Sequence, residues 1–423
     1  MNGIDSLLKG WHNCACGKEH DCPIEDVRIG SGTIACLERL CESYHHILFV
    51  TDDRLWPQYG GKVYTQIQAK ACPLVLNGNG RVVIPNEQAI AEITACITPD
   101  TDLIVGLGSG VINDLCKHVS FQHGLPYMIV ATAPSMDGFA SVGAALILEG
   151  MKITLGARPP KAIIGDTDIL KNAPMEMLQS GWGDIIGKYS CLNDWKLSAL
   201  INGEYFCQAV YDLVHETAKN VETLASGILQ RDEQAIAALM EALVIVGIAM
   251  SFVGNSRPAS GSEHHLSHYF EITGILHNEP YYPHGTDVLY SSVVTARLRE
   301  ILANSIPARQ SFDSAAWEKE IRRIYTSSAD GVIHLQKKLG WHEKNDFFSI
   351  AGKWGSICKI LREAPTEKGM IQMVQAIGLD INQFNAFYGK EKINDAILYA
   401  KDLKDRYSVL WLFERAHAPV CWL

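Results

Sequence analysis

Three histidines fall within five residues, His264, His265 and His268, in the run Ser262-Glu263-His264-His265-Leu266-Ser267-His268. A further histidine stands in Tyr282-Pro283-His284-Gly285, and an aspartate in Gly181-Trp182-Gly183-Asp184-Ile185-Ile186-Gly187-Lys188. On a helix, residues four apart share a face, so His264 and His268 project together while His265 points roughly 100° away. One carboxylate and two imidazoles around a divalent cation leave a coordination position open, which is a catalytic arrangement. Asp184, His264 and His284 would supply that set, with His268 beside them as an orienting or substrate group. A lone histidine is ordinarily a surface or core residue, and His12, His45, His46, His118 and His123 are read that way.

A second kind of chemistry is written into Leu103-Ile104-Val105-Gly106-Leu107-Gly108-Ser109-Gly110-Val111-Ile112-Asn113-Asp114. It reads as a strand, a glycine turn and the start of a helix. Glycine lets backbone approach a ligand, and the helix N-terminus offers unpaired N–H groups and partial positive charge to a pyrophosphate. The alternating glycines are not the GxGxxG of the common dinucleotide fold. A loop of small and hydroxyl residues, Thr132-Ala133-Pro134-Ser135-Met136-Asp137-Gly138, follows the next apolar run. Asp52 and Asp53 end an earlier one; an acid there could bond a ribose hydroxyl and favour NAD over NADP. Equally, the two aspartates could simply stop the strand and start a turn.

The elements that must carry these groups alternate in the first third. Ile47 to Thr51, Leu74 to Asn77, Leu103 to Leu107 and Tyr127 to Ala131 are short, rich in Val, Ile and Leu, and bounded by turn formers, so they read as buried strands. Gly32 to Tyr44, Glu87 to Cys96 and Gly110 to Gln122 have helical spacing. This alternation predicts a Rossmann-like parallel sheet covered on both faces. Met151 to Leu155 and Ala162 to Ile164 are expected to add a strand pair. After Thr167 long helical stretches dominate: Gly183 to Asn202, Ala209 to Leu229, Asp232 to Phe252, Gly261 to Ile272 and others out to Ala416. The expected organisation is an α/β domain over 1–166 and an all-α metal-binding domain over 167–423.

Composition narrows the function. The 423 residues are 47% hydrophobic and 20% charged, as in packed globular proteins. There are 47 acidic and 37 basic residues, a net charge of −10. Such a chain is a poor general binder of nucleic acid or anionic membrane, although an anion can still be held locally. The longest apolar run, Ala237 to Val253, contains Glu241 and falls short of the ~20 residues of a membrane span. The N-terminus lacks the basic and apolar regions of a signal peptide. The twelve cysteines are therefore expected as reduced thiols, many in apolar contexts such as Cys36, Cys96, Cys116 and Cys207, in a cytoplasmic protein. Cys14, Cys16, His20 and Cys22 form CxCxxxHxC, which is not a recognised zinc spacing, and reduced surface thiols are the favoured reading over a structural zinc site.

The segment Gly108 to His284 resembles the sn-glycerol-1-phosphate dehydrogenases, within the superfamily that also holds iron-dependent alcohol dehydrogenases, glycerol dehydrogenases and dehydroquinate synthases. The likeness is carried by Gly108-Ser109-Gly110-Val111-Ile112-Asn113-Asp114, Thr132-Ala133-Pro134-Ser135-Met136-Asp137-Gly138, Gly183-Asp184-Ile185-Ile186-Gly187-Lys188 and Ser256-Arg257-Pro258-Ala259-Ser260-Gly261-Ser262-Glu263-His264. Cys14-Ala15-Cys16-Gly17-Lys18-Glu19-His20 resembles the start of the bacterial, AraM-like branch. The resemblance implies a dehydroquinate-synthase-like fold. It implies that Gly108, Ser109, Gly110, Val111 and Ile112, with Thr132, Ala133, Pro134, Ser135 and Ser141, bind NAD(H) or NADP(H). It also implies that Asp137 and His268 bind substrate, and that Asp184, His264 and His284 hold one divalent metal while Asp184 also approaches the substrate. Zinc or nickel is implied, with iron possible, and a homodimer. Relatives often carry Glu soon after the Pro-His-Gly histidine; here the run is His284-Gly285-Thr286-Asp287.

The expected reaction is reversible hydride transfer between NAD(P)H and dihydroxyacetone phosphate, giving sn-glycerol 1-phosphate. Asp137 and His268 would orient hydroxyl groups and relay a proton through water. Lys188 and Arg257 are candidates for the substrate phosphate; each could instead be a structural ion pair. Three rivals stand beside it. A glycerol or alcohol dehydrogenase of the iron-dependent family would act without the phosphate. A dehydroquinate-synthase-like lyase would usually carry a Gly-Gly-Gly loop where this chain has Thr132-Ala133-Pro134-Ser135. A non-catalytic NAD-binding protein would be expected to lack a metal ligand.

Overall fold

The computed structural model describes residues 3–148, 151–417 and 422. Two compact units emerge. The first comprises Met1–Ile185 and Lys219–Ser256, the second Ile186–Ala218 and Arg257–Leu423. The division differs from a single boundary near residue 166, because the chain returns to the first unit after leaving it.

The first unit is built on a six-stranded parallel sheet. Its strands are β1 (Asp26–Gly30), β2 (Ile47–Asp52), β3 (Ala71–Leu76), β4 (Leu103–Gly108), β5 (Tyr127–Ala131) and β8 (Ala162–Asp166), in the order β1-β8-β5-β4-β2-β3. Every residue of β2, β4, β5 and β8 is buried, which is why these strands read as unbroken apolar runs. The edges are different. β3 carries Pro73, and β1 carries Asp26 and Arg28, whose side chains pair at 2.9 Å. Only an edge strand tolerates proline, and the polar β1 had no apolar run to betray it.

The expected pairing of Met151 to Leu155 with Ala162 to Ile164 does not occur. β7 (Met151–Gly156) pairs antiparallel with β6 (Gly143–Leu148) in a separate two-stranded sheet. β8 enters the main sheet between β1 and β5. The all-buried β8 needs neighbours on both sides, whereas β7, with Lys152 and Thr154, suits a two-stranded ribbon.

Helices α1 (Cys36–Leu40), α2 (Glu87–Ala95) and α3 (Gly110–Gln122) connect the strands. The next long helical stretch is broken at Gly187 into α4 (Met175–Ile186) and α5 (Lys188–Asn202), and α6 spans Gln208–Glu222. Asp232 caps α7 (Glu233–Val253) by accepting from the Ala235 N–H at 2.9 Å, and Gly254 closes it at φ 75°. Among the described residues α7 alone is long and apolar enough to cross a membrane, but 78% of its most apolar window is buried. Within the first unit it packs against Asp137–Ala140, where Ser251 Oγ donates to the Ala140 carbonyl at 3.1 Å.

The second unit contains no strand among the described residues. Helices α8 (Ser262–His277) and α9 (His284–Ala303) pack on each other, and further helices run from Ser314–Tyr325 to Val409–Ala416. Trp195, Tyr290, Tyr325 and Trp411 are among its fully buried side chains.

Candidate active site

In the first unit the connection after β2 leads outward to β3, while β4 lies on the other side of β2 and leads on to β5. Open α/β sheets bind ligands at the carboxyl ends of strands where the order reverses in this way. β4 ends there at Gly108, and α3 begins at Gly110. The Ser109 side chain does not cap the helix, and Ser109, Gly110 and Val111 are only half-buried. The first-turn N–H groups are therefore placed to receive an anion. Ile112 is 2% exposed and packs so closely behind Gly108 that a Cβ on that glycine would lie 2.5 Å from it. Ile112 could contribute only through its backbone.

Thr132, Ala133, Pro134 and Ser135 are all buried, and the Thr132 N–H donates to the Gly108 carbonyl at 3.1 Å. The loop is held from α4, where Ser180 Oγ donates to the Ser135 carbonyl at 3.0 Å. A Cβ on Gly181 would lie 1.8 Å from the Pro134 carbonyl oxygen. Asp52 acts as a turn former: Oδ1 accepts from the N–H groups of Arg54 at 3.0 Å and Leu55 at 2.9 Å. Asp53 accepts from Gly80 N–H at 2.9 Å, and that backbone hydrogen bond holds its carboxyl below the usual range.

Lys117 was not singled out from sequence. It is wholly buried on α3. Its Nζ donates to the carbonyls of Gly138 at 2.6 Å and Gly143 at 3.0 Å and to Ser141 Oγ at 3.2 Å, with Asp114 3.8 Å away. Burial lowers its pKa to about 8, opposed by the charges of Asp114 and Asp137. Ser141, expected at the cofactor, is thus tied into this network and is 7% exposed. The same lysine fixes the loop carrying Asp137. The Asp137 N–H donates to Asp184 Oδ2 at 2.9 Å, and Asp184 is fully buried on α4.

In the second unit, α8 and the first residue of α9 bring three imidazoles together. Ring centroids of His264 and His284 are 5.1 Å apart, of His268 and His284 5.5 Å, and of His264 and His268 6.0 Å. His265 lies off this face, fully buried. Burial, with the charges of Arg406, Lys404 and Arg257, pushes its pKa well down. The donor atoms of His264 and His284 lie within 4.8 Å of each other. The orienting partner of His264 is the buried Glu263, with Oε1 2.6 Å from His264 Nδ1. Burial pushes the Glu263 carboxyl up, but its bond to His264, the imidazole's charge and the Gly261 N–H outweigh this and leave it lowered. Nδ1 engaged with a carboxylate leaves Nε2 as the ring's metal-donor nitrogen, the arrangement typical of metal-bound histidine. The residues thus fit a divalent ion. Glu263 directly precedes His264, which was the signal available in the sequence.

Asp287 stands three residues after His284, one helical turn into α9. Tyr388 Oη lies 2.9 Å from both its carboxylate oxygens, and burial raises its pKa well above the usual value. Lys188 is fully buried, with Nζ 3.0 Å from the Ala259 carbonyl. Arg257 is 1% exposed and donates to Glu204 Oε2 at 2.6 Å and the Tyr407 carbonyl at 2.7 Å. This is the structural ion pair that was the alternative for Arg257.

A parallel sheet with its glycine turn at the strand-order reversal, joined in one chain to a histidine-bearing helical unit, marks the class. The family model for iron-containing alcohol dehydrogenase matches residues 28–174. The solved structure of a 1,3-propanediol oxidoreductase shares the fold with a TM-score of 0.63 at 14% identity, covering 92% of this chain and 94% of that one. Glycerol-1-phosphate dehydrogenase (NAD(P)+) of Bacillus licheniformis is 30% identical over 419 residues, 97% of this chain and 94% of the relative. The Bacillus velezensis enzyme of that name is 33% identical over 396 residues, 92% of this chain and 90% of the relative. The chain belongs to the glycerol-1-phosphate dehydrogenase (NAD(P)+) family.

Proposed function

We propose that this chain catalyses the reversible NAD(P)-dependent reduction of dihydroxyacetone phosphate to sn-glycerol 1-phosphate. The observation that carries the reading is its likeness, over nearly its whole length, to relatives that bear the name of that activity. The donor set supports it: Asp184 offers one carboxylate and His264 and His284 two imidazoles, and we assign these three to one divalent metal, zinc or nickel. When bound, such an ion polarises the ketone oxygen and stabilises the developing alkoxide, worth several kcal/mol.

The remaining work falls to the chain. Glu263 fixes the His264 ring and its tautomer. The first turn of α3 receives the cofactor pyrophosphate, and the Thr132–Ser135 backbone walls the cofactor side. Asp137 and His268 orient the substrate hydroxyl groups and pass the proton through water. The buried Lys117 keeps Asp137 and Ser141 in place. We read the working form as a cytoplasmic homodimer; among the described cysteines none is joined in a disulfide.

The test is NADH oxidation with dihydroxyacetone phosphate, dihydroxyacetone and a simple aldehyde, before and after chelation and after repletion with nickel or zinc. Chelator-sensitive activity confined to the phosphorylated ketone is expected. Turnover of dihydroxyacetone equal to that of its phosphate would favour the broad glycerol dehydrogenase reading. No chelator-sensitive activity on the phosphate would overturn the assignment.

A further inference from the structure

The N-terminal segment holds a second set of metal donors that the dehydrogenase chemistry does not use. It begins as a closed loop. Trp11 and His20 form an antiparallel bridge, with Trp11 N–H to the His20 carbonyl at 2.9 Å and His20 N–H to the Trp11 carbonyl at 3.0 Å. Between them Cys14 opens a tight turn, the Gly17 N–H donating to its carbonyl at 2.9 Å while Gly17 takes φ 81°. A turn that needs a left-handed residue here brings Cys14, Cys16 and His20 to one side of the loop. Their ligand atoms lie within 4.8 Å of one another, and Cys16 Sγ is 3.3 Å from His20 Nε2.

The histidine is set for metal. His20 is fully buried, and its Nδ1 is 2.9 Å from the Phe252 carbonyl of α7. A backbone carbonyl on Nδ1 fixes the tautomer with the lone pair on Nε2, the nitrogen that faces Cys16. Trp11 and Phe252 pack around it, with ring centroids 4.9 Å apart, and shield the group from water. Cys14 and Cys16, expected as surface thiols, are half-buried beside a buried imidazole. Cys22 is outside the group.

We propose that Cys14, Cys16 and His20 bind a zinc ion. Two thiolates and one imidazole are a soft donor set that suits zinc, in contrast to the carboxylate and two imidazoles assigned to catalysis. Binding displaces the thiol protons to solvent and involves no redox change. The ion would staple the loop that the Trp11–His20 bridge closes.

The proposal is independent of the substrate assigned above, and its test reads thiolate coordination directly. Full-length chain, stripped of metal under reducing conditions, is titrated with Co2+. An intense near-ultraviolet sulfur-to-cobalt charge-transfer band is expected, bleached by added Zn2+. The His264→Ala/His284→Ala variant keeps the band, because the other ion has no thiolate. Cys22→Ser keeps it as well. Cys14→Ser/Cys16→Ser abolishes it, and Cys16→Ser alone lowers it by about half, one thiolate of two. No band in the wild-type chain, an undiminished band in Cys14→Ser/Cys16→Ser, or an unchanged band in Cys16→Ser would overturn the site. Should the double variant fail to fold, the wild-type and Cys16→Ser titrations still decide.

Discussion

The ammonium of Lys117 sits 2.6 Å from the carbonyl oxygen of Gly138, within the turn that carries Asp137. A buried cation spends its charge on three loop oxygens rather than on a ligand. Lys117→Met would remove the ammonium that draws those oxygens together, leaving the two carbonyls only the weaker Ser141 donors, and let the loop drift. A displacement on the order of 1 Å costs about 100-fold in kcat/KM. Steady-state kinetics on folded variant check this, with partial recovery expected in Lys117→Arg.

The same lysine sets a pH limit. Its folded pKa is lowered to about 8, below the ordinary lysine value, so it loses its proton as the pH rises through that region. An alkaline limb in kcat/KM near pH 8 should follow, displaced upward in Lys117→Arg. The effect on stability has the opposite sense. The folded state holds the proton less tightly than the unfolded chain, so burial of the charge costs stability below about pH 8 and the cost fades as the pH rises further. Urea midpoints across that range measure it.

Glu263→Gln keeps the shape and removes the charge that fixes His264. Metal affinity should fall about 10–100-fold while the melting temperature barely moves. Activity should return with excess metal. Retention of full activity after dialysis at low metal would show that Glu263 does not orient the ligand.

Arg257→Ala separates structure from substrate binding. Loss of its bonds to Glu204 and the Tyr407 carbonyl should cost about 1–3 kcal/mol. The KM for dihydroxyacetone phosphate should stay within about twofold. A large rise in KM with unchanged stability would return Arg257 to the phosphate.

Gly181→Ala adds a methyl 1.8 Å from the Pro134 carbonyl oxygen, so helix and loop must part. Cofactor binding should weaken about tenfold or more, visible in NADH fluorescence titration, since the moved backbone belongs to the Thr132–Ser135 wall.

The four interior strands were legible because a strand buried on both faces must be apolar throughout. β1 was not, since an edge strand mixes polar residues such as Asp26 and Arg28 with apolar ones. The histidine helix was legible from i,i+4 spacing. Lys117 was not, because a lysine on a helix ordinarily reads as solvated, and only the fold shows that it ends among carbonyls. Asp52 was legible only as one of two readings, and the turn won.

The return of the chain to its first unit bears on synthesis. A ribosome that has delivered residues 1–185 has delivered the whole parallel sheet, yet not Lys219–Ser256. The face awaiting α7 stays open until that apolar helix emerges, after part of the second unit has already been made. A fragment ending at residue 185 should therefore be sticky and prone to aggregation, whereas one continued through residue 256 should remain in solution. The histidine-bearing helix, starting at Ser262, comes only after that closure.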